Sequence, residues 1–136
     1  MTKEKLTTGL KVVIVDDFHI VVDRIRKMLD DDSGVSIAGD SNNVTSAFLL
    51  IDSERPDVVI MDIHLEGEVM KGIALLSLVK KIYHGIRVIV FTNFADIRYR
   101  DLCMTNGADY FLDKATDGDQ ISPALQEIYL QKHLGY

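Results

Sequence analysis

The sequence predicts an α/β fold, a five-stranded parallel sheet in the doubly wound, flavodoxin-like order 2-1-3-4-5. Two observations support this fold class. Short runs rich in Val and Ile alternate along the chain with segments of helical period. Three of these runs are nearly continuous in apolar residues instead of alternating, which is typical of strands that helices cover on both faces. The 136 residues suffice for one domain of this kind.

Five runs are the predicted strands. The first, third and fourth are the most continuously apolar, so they are expected at the centre of the sheet. In chain order, the runs are Leu10–Val15, Val35–Gly39, Asp57–Met61, Ile86–Phe91 and Asp109–Leu112.

The segments between the runs carry apolar stripes that predict helices. Stripes with helical spacing begin at Val21, Val44, Leu75 and Ile121. The stretch Ala95–Asn106 predicts a weaker helix, because its apolar residues are poorly phased.

Glycine and asparagine residues mark the predicted helix ends. Gly34, Gly85 and Gly107 follow helical segments, where a left-handed residue commonly ends a helix. Asn42 or Asn43 can cap the second helix, because a side-chain amide oxygen accepts a hydrogen bond from the first turn.

Composition excludes several function classes. Fifteen Lys and Arg against 21 Asp and Glu give a net charge of −6, so we expect no direct contact with nucleic acid. Cys103 is the only cysteine, which excludes an internal disulfide and a multi-cysteine zinc site. Residues 1–8 lack the apolar core of a secretion signal, and no apolar run reaches roughly 20 residues. We therefore expect a cytoplasmic domain over residues 10–133, between tails at 1–9 and 134–136.

The predicted topology brings polar residues to one edge of the sheet. Ligands of open α/β sheets bind beyond the carboxyl ends of the strands, where the strand order reverses. The residues that follow or end the first, third, fourth and fifth strands are Asp16, Asp17, Asp62, Thr92 and Lys114.

These side chains suit phosphoryl chemistry beside a metal ion. Three carboxylates in one crevice repel each other unless a cation or a proton joins them, and their oxygens suit Mg²⁺. Thr92 and Lys114 can bind phosphoryl oxygens. Asp62 follows the middle strand, so it is the best placed nucleophile for an acyl phosphate. Taken singly, each residue has an ordinary interpretation as a helix cap, loop carboxylate or surface cation, and only the combination favours a site.

Four motifs in this order resemble the receiver domain of two-component response regulators. They are VVIVDD at 12–17, VVIMD at 58–62, VIVFT at 88–92 and GADYFLDK at 107–114. The resemblance runs from about Leu10 to the last helix, and it implies a CheY-like phospho-acceptor domain.

The resemblance implies the following acceptor and metal residues. Asp62 matches the phosphorylated aspartate. Asp17 matches the residue that contacts Mg²⁺ directly, and Asp16 its neighbour that often acts through water. His64 matches the position whose main-chain carbonyl completes the metal shell.

The resemblance also implies a switch and its partners. Thr92 matches the switch hydroxyl, Lys114 the phosphate-pairing lysine and Phe111 the aromatic residue that moves inward on activation. The expected phosphodonor is a histidine kinase or a histidine phosphotransfer protein. The expected output is a changed surface on the fourth helix, fifth strand and fifth helix, which would contact an output domain, a downstream protein or a second copy. Such a domain is a signalling switch and not a turnover enzyme, although it assists its own phosphotransfer and dephosphorylation.

The sequence departs from the family pattern at several places. Glu66 takes the usual proline position, and the matching glycine, Gly72, comes two residues late, which predicts a longer, more acidic and more mobile loop. Asn93 stands where a smaller residue is common, so it could hinder the attacking water in dephosphorylation. Phe111 lacks the hydroxyl of the usual tyrosine, which favours the buried, active-like position; alternatively it is a plain core residue, with Tyr110 partly exposed.

Two other functions stay open on the sequence alone. One is a receiver-like interaction module that acts without phosphorylation, which the altered loop after Asp62 allows. The other is an unrelated flavodoxin-like binding domain or small phosphatase, which predicts bound flavin or catalytic turnover.

Overall fold

The structure is a computed structural model that describes residues 9–30 and 34–135. Strands and helices alternate along this part of the chain. The strands are β1 (Leu10–Val15), β2 (Val35–Ser41), β3 (Val58–Met61), β4 (Arg87–Thr92) and β5 (Tyr110–Asp113). The helices are α1 (His19–Asp30), α2 (Val44–Glu54), α3 (Val69–Ile82), α4 (Ile97–Thr105) and α5 (Ile121–Leu134), with a short 3₁₀ turn at Gly118–Gln120.

The sheet has the predicted topology. Its five strands are parallel and lie in the order β2-β1-β3-β4-β5. The strand order reverses between β1 and β3, whose last residues, Val15 and Met61, are paired in register. The residues that follow these two strands therefore emerge side by side at the carboxyl edge, and the predicted fold class is confirmed.

β1 has its predicted bounds, and the boundaries of the other four strands differ from the predicted ones by one or two residues. β2 continues to Ser41 because a register shift between Val12 and Val13 of β1 lets Val15 pair with Ser41. β4 includes Thr92 and β5 includes Asp113, and these two residues are paired. Thr92 is thus held by the sheet itself and not by the following loop.

Helices cover both faces of the sheet and form two hydrophobic cores. On the α1 and α5 side, the core contains Val12, Ile14, Val58 and Ile60 from the central strands. On the side of α2, α3 and α4, it contains the alternate residues, namely Val13, Val15, Val59 and Met61. All eight are almost completely buried, which explains why these strands are continuously apolar. Full burial of one such side chain contributes about 1.5–3 kcal/mol.

The helix ends confirm some predicted caps and contradict one. Asn43 caps α2, because its side-chain oxygen accepts the N–H of Ser46 at 2.9 Å. Gly107 follows α4 with a φ of +101°, as expected. The prediction for Gly85 was wrong: the last turn of α3 is closed earlier, by the Tyr83 N–H on the Val79 carbonyl, and Gly85 is not left-handed.

The longest helices, α3 and α5, each contain 14 residues. Within the described ranges, we find no helix whose length and hydropathy would let it cross a bilayer.

Candidate functional site

Three carboxylates meet at the carboxyl edge of the sheet. Asp16 follows β1 and Asp62 follows β3, and each is only 4% exposed. Asp17 is exposed. One carboxylate oxygen from each residue lies within 4.8 Å of the other two. The pairing of Val15 with Met61 produces this convergence, since it places the next residue of each strand at the same level.

Lys114 provides the cation of the cluster. It follows β5, and its Nζ atom lies 2.7 Å from Asp16 Oδ2 and 2.9 Å from Asp62 Oδ2. The Lys114 side chain is 6% exposed, so both ion pairs are shielded from water. Three carboxylates and one ammonium leave a formal charge of −3 + 1 = −2 at this edge.

Burial and hydrogen bonding act in opposite directions on these groups. Burial raises the pKa of Asp16 above its ordinary value, although hydrogen bonds from Lys114 and from the Phe18 N–H partly offset this. Burial alone would lower the pKa of Lys114, but its hydrogen bonds to Asp16 and Asp62 raise it overall. Lys114 is therefore held as the charged ammonium. Burial disfavours the ionised form of Asp16, and a further cation beside the carboxylate would stabilise that form.

The donor set fits Mg²⁺. Carboxylate oxygens are hard ligands, and Mg²⁺ characteristically takes one or two of them while it keeps several waters. A divalent cation would also balance the remaining formal charge of −2. Beside the carboxylates lies a cavity of about 290 Å³, lined by Asp16, Asp17, Ser41, Asn42 and Ser46 among others.

Thr92 lies at the end of β4 and is completely buried. Its backbone carbonyl accepts a 3.0 Å hydrogen bond from the backbone N–H of Lys114, which links the ends of β4 and β5. Its hydroxyl oxygen accepts the Phe94 N–H at 3.1 Å. The hydroxyl proton can therefore be donated to another acceptor.

His64 is held at the cluster by its backbone and not by its imidazole. Its N–H donates a 3.1 Å hydrogen bond to Asp62 Oδ1. Its ring stacks on Phe94, with 4.7 Å between ring centroids and 13° between planes. The sequence did not predict this stack, because nothing in the spacing of His64 and Phe94 indicates that the loops after β3 and β4 meet.

Phe111 is half-buried in β5 and packs against the core on the α2, α3 and α4 side, as does Tyr99 of α4. Tyr110 is also half-buried and packs on the opposite core. The two rings thus lie on opposite faces of the sheet, and Phe111 is the one that faces α4.

A hydrogen-bonded turn closes the loop after Asp62, which was expected to be longer, more acidic and more mobile. Leu65 and Glu68 exchange backbone hydrogen bonds of 3.2 and 3.0 Å, which closes a two-residue turn. Its central residues, Glu66 and Gly67, have φ values of +54° and +81°, as a type I′ turn requires. Leu65 is completely buried. The loop is acidic, but the hydrogen bonds and the Leu65 anchor hold it in place.

Gly72 allows helix α3 to approach this loop. A Cβ atom at Gly72 would lie 1.9 Å from the Ile63 carbonyl oxygen and 2.3 Å from Ile63 Cα. No side chain fits there unless the backbone directly after Asp62 moves. The glycine at this position therefore has a steric role beside the backbone that follows Asp62.

Comparison with known proteins agrees with this geometry. A family model described as the response regulator receiver domain matches residues 12–126. The response regulator protein VraR of Staphylococcus saprophyticus is 25% identical over 120 residues, which is 88% of this chain and 56% of that protein. VraR of Staphylococcus epidermidis is 24% identical over 121 residues, with 89% and 57% covered. The chain thus spans about half the length of these curated relatives.

Solved structures show the same fold. The CheX–CheY–BeF₃–Mg²⁺ complex from Borrelia burgdorferi superposes with a TM-score of 0.83 at 20% identity, over 94% of this chain and 98% of that chain. A LuxR-family two-component response regulator from Aurantimonas sp. SI85-9A1 has a TM-score of 0.82 at 22% identity, over 90% and 86%. The matched sequence model, the sheet order and the acidic cluster lead to one conclusion: the chain belongs to the response regulator receiver domain family.

Proposed function

We propose that this receiver domain accepts a phosphoryl group on Asp62, from a phosphohistidine of a histidine kinase or a histidine phosphotransfer protein. The observation that carries the proposal is the position of Asp62: buried at the end of the central strand, beside Asp16 and Asp17, and paired with Lys114 at 2.9 Å. A nucleophilic carboxylate with a cation beside it can form an acyl phosphate.

In the proposed reaction, a carboxylate oxygen of Asp62 attacks phosphorus and the P–N bond to the donor histidine breaks. The bonding electron pair stays on the imidazole nitrogen, which can take up a proton. Lys114 already contacts Asp62, so its ammonium is placed to pair with a phosphoryl oxygen. Later attack of water on the acyl phosphate regenerates the carboxylate and releases phosphate.

Asp16, Asp17, Asp62 and the main-chain carbonyl of His64 are the proposed ligands of Mg²⁺. When bound, the ion would neutralise charge on the transferring group. The hydrogen bond that the backbone N–H of His64 donates to Asp62 supports the assignment of His64, because it holds that backbone segment against the cluster.

We propose that Thr92 and Phe111 carry the change to the surface formed by α4, β5 and α5. The Thr92 hydroxyl can turn towards the phosphoryl group, since its present partner is a single backbone N–H. Phe111 packs on the α4 side of the sheet, so its movement would be felt by that helix. α4 also exposes apolar side chains, with Ile97 64% exposed and Met104 41% exposed, which suits a contact with an output domain, a downstream protein or a second copy.

The domain as proposed spans residues 10–133, works in the cytoplasm and does not itself contact nucleic acid. It acts as a switch and not as a turnover enzyme, while it assists its own phosphotransfer and dephosphorylation. The alternative function is an interaction module that is never phosphorylated. The feature that supports this alternative is the altered loop after Asp62, where Glu66 takes the usual proline position and forms a turn with Gly67.

Incubation with acetyl phosphate and Mg²⁺, followed by intact mass spectrometry, tests the proposal. We expect the wild type and the matched control Asp52→Asn to gain one phosphoryl group, and Asp62→Asn to gain none. Asp52 is an exposed carboxylate of α2. An unmodified wild type would favour the interaction module, and equal modification of Asp62→Asn would show that Asp62 is not the acceptor.

A further inference from the structure

Glu66 connects the loop after Asp62 to the start of helix α2. Its Oε2 atom accepts the N–H of Val44, the first residue of α2, at 2.8 Å. The two residues are 22 positions apart: Glu66 lies in the loop after β3, and Val44 begins the helix that follows β2. Lys71 of α3 approaches the other oxygen, Oε1, at 3.4 Å. Mainly through the Val44 hydrogen bond, the pKa of Glu66 is held below its usual value.

The start of α2 forms one wall of the acidic cavity. Ser41, Asn42 and Ser46 line the 290 Å³ cavity together with Asp16 and Asp17. The loop of Glu66 also carries His64, whose backbone N–H donates a hydrogen bond to Asp62 Oδ1. The contact between Glu66 and Val44 therefore joins the loop after β3 to the helix start that lines the cavity.

A proline could not stand at Glu66 in this structure. Proline fixes φ near −65°, whereas Glu66 has a φ of +54°. The loop thus lacks the rigidity that a proline ring would supply. Its shape depends instead on the backbone pair between Leu65 and Glu68, and on the side chain of Glu66.

We propose that Glu66 is a positioning residue for the Mg²⁺ site, which holds the loop after Asp62, and with it the His64 carbonyl, against the first turn of α2. The inference rests on the proposed function, since it concerns the ion that phosphorylation of Asp62 would use. Glu66 touches neither the ion nor the phosphoryl group in this role. It acts through the backbone that it fixes.

The test compares Mg²⁺ titrations, followed by backbone amide NMR shifts, of the full chain and three variants. Glu66→Ala removes the acceptor, and Glu66→Gln keeps an acceptor oxygen without the charge. Glu68→Ala removes the neighbouring carboxylate, which lies 3.6 Å from Lys71 Nζ. We expect the dissociation constant for Mg²⁺ to rise about tenfold in Glu66→Ala and to stay within about twofold of wild type in the other two. Without Mg²⁺, amide exchange at Val44 should be about tenfold faster in Glu66→Ala.

Several outcomes would overturn the inference. Unchanged affinity in Glu66→Ala would do so, as would an equal loss in Glu66→Gln, because the lost charge would then explain the effect. An unprotected Val44 amide in the wild type would overturn it without any variant. If the wild type binds Mg²⁺ and accepts phosphate while Glu66→Ala binds equally well, only this inference fails. If the wild type binds no Mg²⁺, the proposed function fails with it.

Discussion

Lys114 and Asp62 are 52 residues apart in the sequence, yet they form a buried ion pair of 2.9 Å at the carboxyl edge of the sheet. The same ammonium contacts Asp16 at 2.7 Å. One cation thus serves two carboxylates, and the stability of the site depends on it.

Lys114→Met should destabilise the fold by about 3 kcal/mol in the absence of Mg²⁺, because it leaves two buried carboxylates without their cation. Added Mg²⁺ should recover part of this loss. Urea unfolding with and without Mg²⁺ measures both effects. Lys81→Met, on the exposed side of α3, is the control, and equal unfolding free energies for the two variants would contradict the prediction.

Asp16→Asn should stabilise the domain at any pH above the raised pKa of Asp16, and it should weaken the binding of Mg²⁺. Because burial raises the pKa of Asp16, the stability that its protonated form contributes is fully present below the ordinary value of 3.8 and is lost as pH rises through the raised pKa. The advantage of the variant should therefore grow as pH rises from about 4 through the raised pKa. Urea unfolding across this range tests it, with Asp101→Asn on the exposed face of α4 as control. A gap that does not depend on pH would argue against a buried charge as the cause.

Gly72→Ala should cost about 3 kcal/mol of folding free energy, because its Cβ would lie 1.9 Å from the Ile63 carbonyl oxygen. The displaced backbone should also disturb the His64 and Asp62 amide resonances. Gly85→Ala is the matched control, since a Cβ there meets nothing within 4 Å. Similar stabilities of the two variants would show that α3 can move away at little cost.

Asn93→Ala should shorten the lifetime of the acyl phosphate about threefold or more, a change of roughly 0.7 kcal/mol in barrier. Asn93 is exposed and follows Thr92 directly, so we expect its side chain to hinder a water molecule that attacks the phosphoryl group. The lifetime is measured by intact mass spectrometry, as the rate at which the added phosphoryl group is lost after acetyl phosphate is removed. Ser53→Ala, at the far end of α2, is the control, and equal lifetimes in wild type and Asn93→Ala would remove the idea.

Cys103 should react slowly with thiol reagents until the protein unfolds. The side chain is completely buried in α4, and burial raises its pKa to about 11. In the unfolded chain the thiol has its ordinary pKa of 9.0, so between pH 9.0 and about 11 it ionises in the unfolded state but not in the folded one. The contribution of Cys103 to the free energy of unfolding is therefore fully present below pH 9.0 and falls as pH rises towards 11. The wild type should lose about 2 kcal/mol more than Cys103→Ala over this interval. Parallel pH profiles for the two proteins would contradict the expectation.

Much of the fold could be predicted from sequence because burial on both sheet faces leaves a direct signature. β1 matches the predicted Leu10–Val15, since a continuous apolar run ends there at two aspartates. β2 extends beyond its predicted end. Its pairing with β1 shifts register after Val12, so that Val15 pairs with Ser41. Such shifts leave no mark in the sequence of the strand itself.

The candidate site was predictable where it depends on strand ends and was missed where it depends on loops. Asp16, Asp17 and Asp62 converge as the topology requires. The contact of Glu66 with Val44 joins a loop to the start of α2, and no periodicity links residues 22 apart. The loop was expected to be mobile because proline is absent, but the positive φ values of Glu66 and Gly67 allow a tight turn instead.

The sheet also separates the protein into two packing layers that share no side chains. Val58 and Ile60 belong to one layer, whereas Val59 and Met61 belong to the other. Substitutions in different layers that lie more than about 7–10 Å apart should therefore change the free energy of unfolding additively. The helices outside one layer can then vary in sequence while the packing of the other layer is kept.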